Sequence, residues 1–425
     1  MLSGEPKRPM ASAVAAPSGV FGPRILALAD QLAKWSEASD NLTCTYLTDA
    51  HRAVAAQLRD WMQAAGMTAE IDVLGNVVGR YAAAAPDAKT LIVASHYDTV
   101  RNAGKYDGRF GILAPLVVVE HLNRAGQRLP FHLEVIAFSE EEGVRFGTAY
   151  LGSSALTGRF DLRVLELRDA SGISVAELIR ATGDDPNTIP ALARRPQDLL
   201  GYLELHIEQG PMLLHENLPV GIVTAIAGGS RFLLTITGAS GHAGTTPMTA
   251  RHDAAAAAAE IVLFVERRCG TAPGLVGTVG RLAVPDGAIN VIPGRCELSV
   301  DIRADELPKR DAAIADVFAE IERIGKRRGM TIKTTEMQRT PVVPCSPRLQ
   351  RLLANCITHA GLRPHYLPSG AGHDGILFDG FTDIGMLFVR CGNGGVSHSP
   401  LESITADDAD ISARLLLDVL QKFQL

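Results

Sequence analysis

Three stretches between residues 91 and 143 decide the fold: LIVASHYD at 91–98, GILAPLVVVEHL at 111–122 and LEVIAFSEEEG at 133–143. Leu91 to Ala94 is a short, wholly apolar run, as expected of a strand buried on both faces. Gly111 to Leu122 reads as a helix, and Leu133 to Phe138 as a second buried strand. Strand, helix, strand in that order predicts a βαβ unit within a helix-covered sheet. Upstream, Ile25 to Trp35 and His51 to Ala65 carry apolar residues at helical spacing (Ile25, Leu28, Leu32; then Val54, Leu58, Met62). Ala69 to Val73 and Val77 to Tyr81 are strand-like, with Gly75-Asn76 between them as a hairpin signal.

Near residue 220 the texture changes. Val220 to Ala225, Phe232 to Thr237, Leu275 to Val284 and Cys296 to Ile302 are strand-like, while Arg251 to Arg268 and Arg310 to Ile324 are helix-like. The alanine run Ala254 to Ala259 belongs to a tightly packed helix, because alanine is the best helix former and Ile261, Val262 and Val265 continue an apolar face. Beyond Pro341 a helix (Leu349 to His359), a buried strand (Ile384 to Arg390) and a terminal helix (Asp407 to Phe423) follow. The expectation is a discontinuous α/β domain over 24–219 and 337–425, with a small two-layer α/β domain, 220–336, inserted in it.

Composition narrows the class. A chain of 425 residues has room for two or three domains. Hydrophobic residues at 46% and charged residues at 21% fit a soluble protein with a large core, and exclude a disordered chain. A net charge of −6 argues against nucleic-acid binding through phosphate neutralisation. The six cysteines include no C-x-x-C pair, which predicts reduced, buried thiols and neither a disulfide scaffold nor a zinc knuckle. Met1 to Pro23 is rich in Ala, Gly, Pro and Ser, and its apolar stretch is too short for a signal peptide. It reads as a flexible leader, 1–23, on a cytoplasmic protein. No window approaches the ~18 apolar residues of a membrane span.

Gly370, Gly372 and Gly375 make a formal G-x-G-x-x-G, but Pro364 and Pro368 spoil a preceding strand and His373-Asp374 occupies the turn. A dinucleotide role is therefore disfavoured. No P-loop, G-x-S-x-G or H-E-x-x-H is present. What remains is a pattern of His and acidic residues at strand ends, where ligands of α/β sheets gather. His96 and Asp98 lie just past one buried strand, Asp107 in a glycine-flanked loop before a helix, and Glu140-Glu141-Glu142 directly after the next strand. His206 follows an alternating run, and His398 follows another buried strand. Taken singly, each has a plain reading: a hydrogen-bonded histidine, a solvated acidic loop, an N-cap for Asp107. Jointly they make a mixed nitrogen and oxygen set for a divalent metal such as zinc or manganese.

These segments carry a resemblance. HYDT at 96–99, DGRFG at 107–111, EEGVRF at 141–146, HIEQG at 206–210, GHAGTTPM at 241–248 and SHSPLE at 397–402 together resemble the hydantoinase/carbamoylase amidases of the di-metal aminoacylase and carboxypeptidase superfamily. The likeness runs in order from about residue 25 onward. It implies a mixed sheet covered by helices, an inserted lid, and a homodimer formed through the lids. It also implies two divalent ions per subunit, zinc or manganese and otherwise cobalt or nickel. Asp107 would bridge them, with His96 and His206 on one and Glu142 and His398 on the other. By the same likeness Glu141 is the general base and His242 acts in the manner of an oxyanion hole, from its own or the partner subunit. Gln209, Asn290, Arg303 and the Gly370-Ala371 backbone would contact the substrate, and Asp98 would orient His96. Without the likeness, Arg303 reads as a surface ion pair and Asn290 as a turn residue. Gly375, where the family usually has Ala, and Val396, where it often has Ile, depart from the pattern without touching a proposed ligand.

The implied reaction is hydrolysis of a linear ureido C–N bond, with an N-carbamoyl-L-amino acid as substrate. Allantoate and β-ureidopropionate are the alternatives, and a non-catalytic binding protein of the same fold is the distant one.

Overall fold

The computed structural model describes residues 19–424. The chain divides into two compact units. One runs up to Thr224 and takes in Cys345–Leu367 and the chain from His373 onward; the other is Ala225–Pro344 with Pro368–Gly372. These limits differ from 219/220 and 336/337 because Val220–Ile226 pairs with Ile384–Val389 of the first unit, while Thr331–Arg339 continues the second unit's sheet past 336.

In the first unit the sheet includes, in order, Thr68–Ile71, Val77–Tyr81, His132–Phe138, Thr90–His96, Leu199–Ile207, Ile384–Val389 and Val220–Ile226. The strands from His132–Phe138 through Ile384–Val389 are parallel to their neighbours, and the flanking ones antiparallel. Thr90–His96 and His132–Phe138 are buried throughout, as their apolar runs require, and Phe110–Arg124 connects them. One core joins Leu91, Val93, Val135, Leu203 and Leu205 to the helices Phe21–Leu32, Asp49–Ala64, Phe110–Arg124, Pro347–His359 and Ala406–Lys422. Strand alternation turns the intervening residues to the other face: Ile92, Ala94 and His96 on one strand, Tyr202, Glu204 and His206 on the next. The parallel register sets Ile92 opposite Tyr202, so the two histidines come up side by side with their rings 5.7 Å apart.

Several boundaries move. The first helix is Phe21–Leu32, not 25–35, so Phe21 to Pro23 of the expected 1–23 leader are helical; residues 1–18 lie outside those described. Residues 143–198 hold the short helices Leu151–Leu156 and Val175–Ala181 with several 3₁₀ turns. They close over Phe146, Leu151, Val175, Ile179 and Ile189, packed with Tyr46 and Leu47. A strand of four residues, Tyr366–Ser369, does precede Gly370 despite Pro368. It leads into a 3₁₀ turn of five residues, Asp374–Phe378, and not into the helix a dinucleotide loop opens.

The second unit is an antiparallel sheet ordered Leu282–Ala283, Arg295–Ala304, Gly228–Thr237, Thr331–Arg339, with Leu275–Thr278 also paired to Arg295–Ala304. The single strand expected over 275–284 is thus two short ones. Helices Ala254–Cys269 and Leu307–Arg328 share the core of this sheet. In the first of them Ala254, Ala257, Ala258, Ile261 and Val265 are buried at helical spacing, so the alanine run is the packed face. Asp253 caps that helix by accepting from the backbone N–H groups of Ala255 and Ala256. All six cysteines are buried and unpaired. No helix among the described residues is long and apolar enough to cross a membrane.

Candidate metal centre

The site forms at the carboxyl ends of the parallel strands, where a sheet edge offers side chains from several segments at once. His96 ends Thr90–His96, Glu141 and Glu142 follow His132–Phe138, and His206 is the penultimate residue of Leu199–Ile207. His398 comes from the loop after Ile384–Val389. Asp107 stands in the loop before Phe110–Arg124, a helix that starts without a side-chain cap, so the N-cap reading of Asp107 fails.

Asp107 is the centre of the arrangement, and its two oxygens face different ways. Oδ1 lies 3.3 Å from His206 Nε2 and 3.9 Å from His96 Nε2. Oδ2 lies 3.0 Å from His398 Nε2, which is itself 3.3 Å from Glu142 Oε1. Two donor groups result, His96–Asp107–His206 and Asp107–Glu142–His398, each with its ligand atoms within 4.8 Å of one another. Glu141 joins His96 and Glu142 in a third such group. Except for His398, whose side chain is 49% exposed, these side chains are buried or nearly so.

The supporting bonds aim the ligand atoms. His96 Nδ1 is 3.3 Å from Asp98 Oδ1 and 3.2 Å from the Asp98 carbonyl, and His206 Nδ1 is 2.9 Å from the Ile207 carbonyl. Both rings are thereby held with Nε2 toward Asp107. Asp98 also accepts from the backbone N–H groups of Glu141 and Glu142, each at 3.1 Å, which fixes the acidic turn relative to His96. Gly108 has φ +63°, and a Cβ there would come 2.5 Å from the His96 ring, so only glycine fits beside Asp107.

The electrostatics show a shortage of positive charge. Burial pushes the Glu141 carboxyl well above the usual carboxylate range; Glu142, Asp374 and Asp98 add to this against the pull of His96. Burial likewise raises Glu142. Burial alone would raise Asp107 too, yet the hydrogen bond from His398 and the fields of His206 and His96 hold it well below its ordinary value. Hydrogen bonds to Asp107 and Glu142 push His398 up to about 10. Burial brings His206 down to about 4, so it stays a neutral, lone-pair donor at physiological pH. Imidazole nitrogens and carboxylate oxygens crowded in this way fit divalent cations, which would supply the charge the carboxylates lack.

Gln209, expected at the substrate, lies against the proposed ligands, with Nε2 3.1 Å from both oxygens of Asp107 and 3.4 Å from His398 Nε2. Gln209 and His398 have φ of 56° and 54°, left-handed values unusual for such residues and tolerated where surrounding contacts fix them. The other expected substrate residues belong to the second unit. His242 pairs with Val291 in a two-stranded ribbon, Gly241–His242 with Val291–Ile292; Asn290 directly precedes Val291, and the Ala243 N–H donates to the Asn290 carbonyl at 2.9 Å. The Gly244 N–H donates to His242 Nδ1 at 3.0 Å, which fixes that ring. Arg303 donates through Nη2 to Asp301 at 3.0 Å and through Nη1 to the Gly370 carbonyl at 3.0 Å. Asp301 also accepts from Arg231, so one carboxylate lies between two guanidinium groups. The Ala371 N–H donates to Ser369 Oγ at 3.2 Å.

Sequence reasoning passed over two sets of residues. Glu204 is buried beneath the histidines, accepting from Ser95 Oγ at 3.0 Å and Tyr202 OH at 2.8 Å, and the His373 ring packs edge-on against His206 at 4.5 Å. Glu402, quoted above within a motif but given no role, touches the Asp107 loop. Alternation along Leu199–Ile207 could have shown that Glu204 shares a face with His206; nothing local could have shown its partners.

Residues 92–422 match the model of peptidase family M20/M25/M40. The chain is 41% identical over 381 residues to an N-carbamoyl-L-amino acid amidohydrolase of Geobacillus stearothermophilus, covering 89% of this chain and 92% of that one. It is 36% identical over 422 residues to allantoate deiminase 1 of Glycine max, covering 92% and 87%. Among solved structures, a hydantoinase/carbamoylase family amidase from Burkholderia multivorans superimposes with a TM-score of 0.87 at 31% identity, covering 94% of this chain and 97% of the other.

Proposed function

We propose, because this chain belongs to the hydantoinase/carbamoylase amidases of the M20/M25/M40 peptidase family, that it hydrolyses the ureido C–N bond of an N-carbamoyl-L-amino acid, releasing ammonia and carbon dioxide. The observation that carries the reading is the divided carboxylate of Asp107, with one oxygen toward His206 and His96 and the other toward His398. In this reading His96, His206 and Asp107 would hold one divalent cation, and Glu142, His398 and Asp107 a second, zinc or manganese. When bound, such a pair lowers the pKa of a shared water and polarises the scissile carbonyl. Glu141, adjacent to the ligand Glu142, takes the proton from the water and passes it to the leaving nitrogen, a transfer worth about 10²–10⁴-fold. Asp98 keeps His96 aimed and the Glu141 backbone in place.

The second unit supplies substrate recognition. Arg303 pairs with the substrate carboxylate, an assignment suited to a planar guanidinium. Asp301, shared with Arg231, holds its plane without cancelling both positive charges. Asn290, Gln209 and the Gly370-Ala371 backbone add polar contacts, and His242 stabilises the oxyanion. This second unit is the lid through which two copies associate. Allantoate is the second reading, favoured by the 36% identity to a plant allantoate deiminase over nearly the whole chain.

The test is ammonia release from a panel of ureido acids, allantoate included, by zinc- and manganese-loaded protein. Glu141→Gln is expected to lower the rate by about 10²-fold or more with metal content unchanged. A variant that turns over as fast as the parent removes Glu141 from its role.

A further inference from the structure

Glu402 is the unexplained acid of the site. It is 5% exposed, and both its oxygens are engaged. Oε1 accepts from two successive backbone N–H groups, those of Tyr106 at 2.8 Å and Asp107 at 3.1 Å. Oε2 accepts from the Ser397 hydroxyl at 2.8 Å. One carboxylate thus joins the loop that presents Asp107 to the residue next to His398, across almost 300 positions of sequence: 295 from Glu402 to Asp107. Successive N–H groups converging on an anion form a concave site that fixes the backbone around it.

A second observation shows that the contact is built in. A Cβ on Gly104 would stand 2.2 Å from Glu402 Cδ and 2.3 Å from Oε1. Gly104 has an ordinary φ, so it is required there for space and not for backbone conformation. The glycine is the floor of a cradle that the glutamate fills.

We propose that Glu402 is a positioning residue that sets the affinity of the cation held by Asp107, Glu142 and His398. This rests on the reading of Asp107 as a bridging ligand. That cation depends on Glu402 twice, through the Asp107 backbone and through Ser397 beside His398. The cation held by His96, Asp107 and His206 depends on it once. Loosening the clamp therefore weakens the two ions unequally. Partners that orient metal ligands typically contribute 10–100-fold in metal affinity.

The experiment titrates chelator-stripped protein with zinc alone against a competing chelator and reads two dissociation constants. Glu402→Gln and Gly104→Ala are each expected to weaken one of the two constants by about 10–100-fold and the other by less, with the circular dichroism of the stripped protein unchanged. Ser397→Ala, which removes one neutral donor, gives a smaller shift in the same constant and stands in for any variant that fails to fold. Folded Glu402→Gln or Ser397→Ala protein that binds both ions with parental constants overturns the inference. Asp107→Asn separates the two claims. If it binds two ions as tightly as the parent, the bridging reading has failed; if it loses them while Glu402→Gln does not, only the clamp has.

Discussion

His51 sits beneath the turn that carries Glu141 and Glu142, with Nε2 donating to the Ser139 carbonyl at 2.7 Å and Nδ1 3.3 Å from the Tyr97 hydroxyl. Tyr97 in turn donates to the Gly75 carbonyl at 2.6 Å. Burial brings the imidazole down to about 4 from an ordinary 6.5. The unfolded chain therefore takes up a proton below pH 6.5 that the folded chain refuses until about 4, and stability falls as pH drops through that window. The loss is about 3 kcal/mol, at 1.36 kcal/mol for each pH unit. Urea unfolding of metal-free protein at several pH values from 7 to 4 is expected to show a shallower decline for His51→Gln, which keeps a donor for Ser139. Parallel curves would mean His51 is not the titrating group. At this scale the proposed ligands were legible because each stands in a motif, four of them at or just past a strand end and Asp107 in a glycine-flanked loop before a helix. His51 and Glu402 were not, because what defines them is a partner far along the chain. Gln209 was legible as a site residue, but its contact with Asp107 depends on a left-handed backbone that no spacing announces.

The helix Phe21–Leu32 has no cap of its own; Val20 stands at the N-cap. Its first N–H groups are met by Asp410 of Ala406–Lys422, which accepts from Gly19 at 2.9 Å, Phe21 at 2.8 Å and Gly22 at 3.3 Å. The two helices approach closely at Gly22, where a Cβ would fall 1.8 Å from the Ala406 carbonyl oxygen. Asp410→Ala leaves the buried Phe21 and Gly22 donors unmet and is expected to cost about 2 kcal/mol, read as a lower urea midpoint at unchanged slope. An unaltered midpoint would show that water replaces the carboxylate. The same remote cap explains why the sequence reading began this helix four residues late: apolar spacing reveals the packed face, and the start is set from outside. The strand–helix–strand core at 90–138 was legible because continuous burial leaves continuous apolar runs. Residues 143–198 were not, since short helices and 3₁₀ turns impose no lasting period on Phe146, Val175 and Ile189.

Across the whole chain, the two units have separate cores, and every proposed metal ligand lies in the first. Binding to the folded state alone stabilises it by about 2.7 kcal/mol at a hundredfold excess over Kd. Zinc added to stripped protein is expected to slow hydrogen exchange in Thr90–His96, Leu199–Ile207 and Ile384–Val389, and to leave Gly228–Thr237 and Arg295–Ala304 near their metal-free rates. Equal protection of both sheets would contradict the assignment of the ligands to one unit. The insertion itself was legible from the change of texture at 220 and its return beyond 341. The five residues Pro368–Gly372 were not legible as part of it. Their contacts with the rest of it include the Ala227 N–H to the Ser369 carbonyl and Arg303 to the Gly370 carbonyl, which leave no mark on composition.

The enclosed sulfhydryls have a practical consequence. None of the six is open to an alkylating reagent while the chain is folded, so modification of the native protein reports opening of its interior. A cysteine introduced on an exposed loop becomes the sole point of attachment for a dye or spin label. With one such cysteine on each unit, distances between them can be followed spectroscopically without first stripping the background of native thiols.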